Sequence, residues 1–140
     1  MKLPQFLLVA LMSVLVAGAQ SGLPALNAQI SFPFEMRGKV LPAGEYTVDF
    51  GADRAWLTVR SREEVKDAAI AVAFPVVPKT NGCAPHLVFN RYGDRYFLSQ
   101  VWHPNVVREL PRSRQERELV TSRVFALKPV RVIIAAKLVR

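Results

Sequence analysis

The stretch LVFNRYGDRYFLSQVW, residues 87 to 102, predicts a β-hairpin at the centre of the fold. Its two apolar and aromatic runs flank Gly93-Asp94, a pair that supplies the positive φ angles of a tight turn. A two-residue loop pairs Tyr92 with Arg95, Asn90 with Phe97, Phe89 with Leu98 and Leu87 with Gln100. Alternation then places Leu87, Phe89, Leu98 and Trp102 on one face, and Val88, Phe97 and Val101 on the other with Asn90, Tyr92 and Ser99. Because neither face is purely polar, the hairpin is typical of a central ribbon in a sandwich or small barrel.

Apolar runs on both sides of the hairpin predict further strands. These segments are Ala28 to Met36, a strand that begins near Glu45, Ala55 to Arg60, Ala68 to Val77 and Val130 to Ala136. Pro33 indicates an edge or a bulge, and the unbroken apolar run after Ala68 predicts a strand buried on both faces. Ser113 and Glu116 form a capping-box pattern, which predicts one short helix over Ser113 to Ser122. The predicted fold class is therefore mainly β, an antiparallel sandwich or partly open barrel of six or seven strands with one short C-terminal helix.

The first nineteen residues have the three regions of a secretory signal peptide. Lys2 supplies the positive region, Phe6 to Val16 the apolar region, and Ala17-Gly18-Ala19 a cleavage signal before Gln20. A membrane anchor is the alternative, but the apolar run is shorter than the roughly 20 residues that span a bilayer. We therefore expect export to the periplasm, the cell surface or the medium, with a flexible leader at residues 20–27 before a single β-rich domain at residues 28–140.

Four segments resemble a known family. They are Phe32-Pro33-Phe34, Leu41-Pro42-Ala43-Gly44-Glu45-Tyr46-Thr47-Val48, Leu87 to Leu98, and Ser113-Arg114-Gln115-Glu116-Arg117-Glu118. In this order they are similar to a family of small exported proteins of unknown function, known mainly from acidobacteria. The resemblance covers most of the chain after the signal peptide. It implies export, and it implies no reaction, cofactor or catalytic residue.

The positive charge of the chain is concentrated near its C-terminal end. Residues 28–107 contain nine Lys and Arg against eight Asp and Glu, whereas residues 108–140 contain nine against three. Arg112, Arg114 and Arg117 are the candidate binding residues of this basic face, which also includes Arg108, Arg123, Arg131 and Arg140. Its candidate partners are an anionic polysaccharide, lipid headgroups or an envelope protein; no nucleic acid is expected because the chain carries an export signal. The alternative is a solvated helix on which Glu116 and Glu118 pair with neighbouring arginines.

Two tryptophans give a second set of candidate binding residues. Trp56 and Trp102 are candidates to line an open sheet face that stacks on sugars or encloses an apolar ligand; packing in the core is the favoured alternative.

The residues typical of catalysis and metal binding form no recognisable motif. Cys83, His86 and His103 are conceivable ligands, but their spacing matches no zinc pattern, so no metal or other cofactor is expected. The chain has no Gly-x-Ser-x-Gly nucleophile elbow, and its paired carboxylates fall in charged loops. We therefore expect a protein that is not an enzyme: an exported non-catalytic binding module or, as the alternative, a structural or envelope-associated protein that docks through the basic C-terminal face.

Overall fold

Pairing between strands joins the protein into one strongly curved sheet. The computed structural model describes residues 23–51, 55–79, 83–104, 106–122 and 128–139. Within these ranges the strands are β1 Leu26–Ile30, β2 Phe34–Met36, β3 Lys39–Leu41, β4 Gly44–Phe50, β5 Trp56–Ser61, β6 Ala68–Val72, β7 Phe74–Val76, β8 His86–Tyr92, β9 Arg95–His103, β10 Val106–Glu109 and β11 Val130–Leu138, and the helix is α1 Arg114–Thr121. The predicted signal peptide and the start of the leader lie outside these ranges, and β1 begins inside the segment predicted as a leader.

The order of the strands makes a nearly closed, barrel-like sheet. The main path is β3-β2-β9-β8-β11-β1-β4-β5-β6, and β10 extends it by pairing with β9 and with β7. All of these pairs are antiparallel except the short parallel contact between β2 and β9. The prediction of a mainly β, partly open barrel with one short helix is thus confirmed.

The number of strands was underestimated. The described residues contain eleven strands rather than six or seven, because two predicted segments each divide into two strands and the short strands β3 and β10 were not predicted. The segment from Ala28 divides at Ser31 to Pro33, where the chain leaves β1 and enters β2. Proline has no amide hydrogen for a ladder, so a break at this position has a local cause.

The segment Ala68 to Val77 is not buried on both faces as predicted. It divides at Ala73 into β6, which pairs with β5, and β7, which pairs with β10. Ala71 and Ala73 face the core, whereas Ile70 and Phe74 are more than half exposed. This segment lies at the open side of the barrel and connects the two ends of the pairing network, which explains why only one of its faces is covered.

The central hairpin forms as predicted near its turn and differs at its open end. Tyr92 pairs with Arg95, Asn90 with Phe97 and Phe89 with Leu98, around Gly93 with a φ of 64°. A bulge then shifts the register, so that Leu87 faces Val101 and His86 faces Trp102. Because a shift of one residue reverses the two faces of a strand, Val101 lies in the core in the place predicted for Trp102.

The interior of the barrel is filled by apolar side chains from both halves of the chain. Its largest fully buried members are Tyr46, Phe34, Phe89, Leu26, Ile30, Leu41, Leu57, Leu87, Val48, Val59 and Val101. Phe34 contacts both Tyr46 and Phe89 in edge-to-face geometry, with ring centroids 5.0 and 5.4 Å away. Such contacts add to the free energy of burial and hold β2 against β4 and β8.

Helix α1 covers the outer face of the hairpin. Its bounds agree with the prediction, since Ser113 is the N-cap and Ser122 the C-cap. The Ser113 hydroxyl accepts a hydrogen bond from the Glu116 amide at 3.2 Å, which satisfies one amide at the start of the helix. Leu119 packs with Tyr92 and Phe97 in a small second core. This contact fixes a helix that is too short to persist alone and determines where its charged residues lie.

Candidate functional site

Four arginines converge at the start of α1. Arg112, Arg114 and Arg117, which were predicted as one basic face, line a single open depression of about 360 Å³ together with Arg37. Arg37 belongs to the turn between β2 and β3, far from the others in the chain. We call these four residues the arginine surface.

A strained turn brings Arg37 to this surface. Arg37 and Gly38 both have positive φ angles, 55° and 80°, as the mirror-image turns of tight hairpins require. Arginine pays a steric penalty in this left-handed conformation. The turn is held in place by the side chains of Glu35 and Arg95, which form two hydrogen bonds of 2.8 and 2.7 Å between β2 and β9. The same contact with Glu35 raises the pKa of Arg95 above its ordinary value.

Most of the arginine surface is free of neutralising carboxylates. Arg114 forms an ion pair with Glu118 at 3.1 Å, one turn along the helix, and both side chains are largely exposed. Exposed pairs of this kind contribute little stability. Arg37, Arg112 and Arg117 form no ion pair with any residue in the described ranges. The surface therefore keeps a concentrated positive charge.

The expectation that Glu116 pairs with a neighbouring arginine is wrong. The Glu116 side chain turns inward and is only 3 % exposed. Its Oε1 accepts hydrogen bonds from Asn90 Nδ2 at 3.0 Å and from the Tyr92 hydroxyl at 2.9 Å. Both partners lie on β8, so the predicted surface residue is a buried link between the helix and the hairpin. Burial and the bond to Glu116 together raise the pKa of Tyr92 to about 12.

A second depression lies next to the arginine surface and shares Arg112 with it. This cleft has a volume of about 370 Å³ and contains charges of both signs. Its cationic residues are Arg112, Lys128 and Arg131, and its other polar residues are Asn90, Ser99, Glu109 and Glu116. We call it the Glu116 cleft.

The two candidate tryptophans do not belong to these depressions. Trp56 is 48 % exposed on β5, opposite Val72 and diagonal to the exposed Ile70 on β6. Trp102 is half-buried on β9, where it stacks on His86 at 4.9 Å and donates a hydrogen bond to Gln100. Among the described residues, no strand pairing makes β5 and β9 neighbours. The two tryptophans therefore do not lie side by side on paired strands.

Two of the conceivable metal ligands, His86 and His103, lie in different surroundings. The Nδ1 atom of His86 lies 2.8 Å from the Ala84 carbonyl oxygen, whereas His103 is buried with its ring edge-on to Phe50. In the part of the chain that the structure describes, no three His, Cys, Asp or Glu residues are grouped as a metal site requires. Over the same residues, the helical structure contains no segment long and apolar enough to cross a bilayer.

Sequence reasoning found three of the four surface arginines and missed the buried network. Arg112, Arg114 and Arg117 are neighbours in the chain, so a helix prediction groups them. The signal for Arg37 was the glycine that follows it, Gly38, because glycine is a strong indicator of turns, but nothing local indicates what that turn approaches. Glu116 looked like a surface residue because arginines surround it in the sequence.

Comparisons of this chain with protein-family models, with curated proteins and with solved structures found no match. The resemblance to a family of small exported proteins thus remains a prediction made from the sequence.

Proposed function

We propose that this protein is an exported, non-catalytic binding module that takes up an anionic polysaccharide on its arginine surface. The observation that carries the proposal is the convergence of four guanidinium groups around one concave depression, three of them without an ion pair among the described residues. Guanidinium groups bind carboxylates and sulfates through two parallel hydrogen bonds. A row of such groups therefore fits a chain that carries one negative charge at regular intervals.

A polysaccharide suits this surface better than a lipid membrane does. Proteins that lie on anionic membranes combine basic residues with apolar side chains that enter the headgroup region. The depression is lined by Arg37, Pro111, Arg112, Ser113, Arg114, Gln115 and Arg117, none of which is a large apolar residue. A concave, polar lining favours a ligand that is itself polar and narrow.

A single-stranded nucleic acid is disfavoured on similar grounds. Binding of single strands relies on aromatic side chains that stack on the bases, and none of the described residues that line the depression is aromatic. The export signal, which is part of the same proposal, would also separate the protein from nucleic acid.

The test is retention on immobilised heparin, a sulfated polysaccharide, of protein purified after expression of the full 140-residue chain. Replacing Arg112, Arg114 and Arg117 by glutamine should weaken binding roughly tenfold to a hundredfold, because charge-assisted contacts are lost. The matched control replaces three exposed residues outside the surface, Arg60, Arg62 and Lys79, by glutamine.

The control makes the result specific, since both triple variants lose the same formal charge. If the variant of Arg112, Arg114 and Arg117 elutes at clearly lower salt than the control variant, the result supports binding of heparin at the arginine surface. Equal elution of the two variants would mean that only the net charge of the protein matters, and the proposal would fail. A wild-type protein that is not retained at all would favour the alternative, a structural protein that docks on an envelope protein through its basic face.

A further inference from the structure

Glu116 presents an unusual feature for a buried carboxylate. Its Oε1 accepts both hydrogen bonds from Asn90 and Tyr92, whereas its Oε2 accepts none from the described residues. Because Glu116 lines the Glu116 cleft, an O–H group of a ligand in the cleft can donate a hydrogen bond to this second oxygen.

The cleft also contains cationic residues. Arg112, Lys128 and Arg131 line it together with Glu116, so a ligand that contacts both kinds of residue must combine a negative group with hydroxyl donors. A sulfate group meets only half of this requirement, because it brings negative charge without a hydroxyl donor. A sugar acid meets both halves through its carboxylate and its ring hydroxyls.

From these contacts we propose that the Glu116 cleft is a subsite for one uronic-acid unit of the bound polysaccharide. The sugar carboxylate pairs with Arg112 and Arg131, and its hydroxyls donate to Glu116 Oε2 and contact Ser99. The volume of about 370 Å³ is near the lower end of ligand pockets, as a single sugar unit requires. This inference rests on the proposed function, and it adds a chemical class to it: uronate chains are preferred over purely sulfated ones.

The position of Arg112 supports the continuity of the two sites. It lines both the arginine surface and the Glu116 cleft. A chain that crosses the arginine surface can therefore place one of its units in the cleft without leaving contact with cationic side chains. Charge along the surface then gives affinity, and the cleft gives selectivity for the sugar acid.

The decisive variant is Glu116→Gln, measured by calorimetry with an oligogalacturonate and with a dextran sulfate oligomer of similar charge. Glutamine keeps an oxygen for Asn90 and Tyr92 but replaces the free acceptor Oε2 by an N–H₂ donor. We expect about tenfold weaker binding of the oligogalacturonate and no weakening with dextran sulfate. The matched control is Glu118→Gln, an exposed position on the same helix with the same change of charge.

The sign of the expected effect separates the subsite from simple electrostatics. Removal of a negative charge should strengthen the binding of any anion, as expected for Glu118→Gln. A weakening confined to Glu116→Gln and to the uronate therefore requires a direct contact. If Glu116→Gln weakens the binding of neither ligand, the subsite is refuted while the proposed function stands. If neither ligand binds the wild-type protein, both proposals fail.

A second variant covers the case in which Glu116→Gln does not fold. Arg131 is exposed at the start of β11 and lines the cleft but not the arginine surface. Arg131→Gln should weaken the binding of the oligogalacturonate several-fold more than Lys137→Gln does. Lys137 is an exposed position on the same strand. Equal effects of the two variants would overturn the subsite.

Discussion

At the residue scale, the link between Glu116 and Tyr92 determines how α1 sits on the sheet. The side-chain carboxyl group of Glu116 is buried and accepts two hydrogen bonds from residues of β8, Asn90 and Tyr92. Hydrogen bonds to a charged, buried acceptor are among the stronger ones in proteins. The start of the helix, and with it the arginine surface, is therefore held by a polar contact as well as by Leu119.

The variant Tyr92→Phe tests this link through its dependence on pH. At neutral pH it should lower the free energy of unfolding by about 1.5–3 kcal/mol, because a buried carboxylate loses one of its donors. The pKa of Tyr92 is raised from 10.0 to about 12 in the folded protein, so the stabilisation by its hydroxyl is complete below pH 10 and is lost as the pH rises toward 12. The difference between the variant and the wild type should therefore shrink over that range in urea denaturation.

The control for this measurement is Tyr96→Phe. The Tyr96 ring stacks on Phe32 at 3.8 Å, and the change to phenylalanine preserves that contact. A loss of stability as large as that of Tyr92→Phe, or a difference that stays constant up to pH 12, would contradict the assigned role. Tyr46, whose pKa is also raised to about 12 by burial and by Asp67 and Glu63, is present in both variants and cancels in the comparison.

At the scale of single elements, two glycine turns provide a matched pair. Gly93 lies in the tight turn of the central hairpin, between β8 and β9. Its φ is 64°, and an added Cβ atom would meet no atom beyond the neighbouring residues within 4 Å. Gly38 has a φ of 80°, and an added Cβ would lie 3.0 Å from Gln115 Nε2 on α1. Both positions require the left-handed conformation, but only Gly38 touches an element of the arginine surface.

Replacement of either glycine by alanine should lower the free energy of unfolding by about 1–2 kcal/mol, because alanine is strained at positive φ. The added contact at Gly38 is with the end of a flexible side chain, so it should move Gln115 rather than unfold the turn. Heparin binding should therefore weaken in Gly38→Ala and stay unchanged in Gly93→Ala. Equal binding by the two variants would show that the turn does not position Arg37.

The same elements show what local sequence patterns determine. The turn at Gly93 and the cap at Ser113 depend on neighbouring residues, and both were predicted with their partners or bounds. The bulge between Val88 and Phe89 has no local signal, because it arises where β9 pairs with β10 and the barrel closes. Trp102 was therefore assigned to the wrong face of the hairpin.

At the scale of the whole molecule, the sequence predicted a basic C-terminal end but not that the barrel brings Arg37, from the turn between β2 and β3, next to it. The parallel contact of β2 with β9 and the Glu35–Arg95 pair bring Arg37 beside residues from the other end of the chain. Contacts of this kind depend on strand order, which apolar alternation does not specify. The grouping of three arginines was therefore predictable, whereas the fourth and the Glu116 cleft were not.

Closure of the barrel also depends on one polar contact between the first and last strands of the sheet order. The Nζ group of Lys39 on β3 donates hydrogen bonds to the carbonyl oxygens of Lys66 at 2.9 Å and Ala68 at 2.8 Å, at the start of β6. Strands β3 and β6 are the two ends of the main path. A lysine thus joins edges that no strand pairing connects within the described ranges, and it leaves fewer exposed edge groups for association with another chain.

The variant Lys39→Met tests this closure, since methionine keeps most of the apolar length and removes the donors. The loss of two partly solvated hydrogen bonds should lower the free energy of unfolding by only about 1 kcal/mol. Amide hydrogen exchange should nevertheless become faster selectively in β6, because local opening of an edge requires less energy than global unfolding. Lys137→Met, an exposed lysine on β11, is the control and should leave β6 unchanged. Exchange that accelerates evenly over all strands would show that Lys39 contributes general stability rather than closing the barrel.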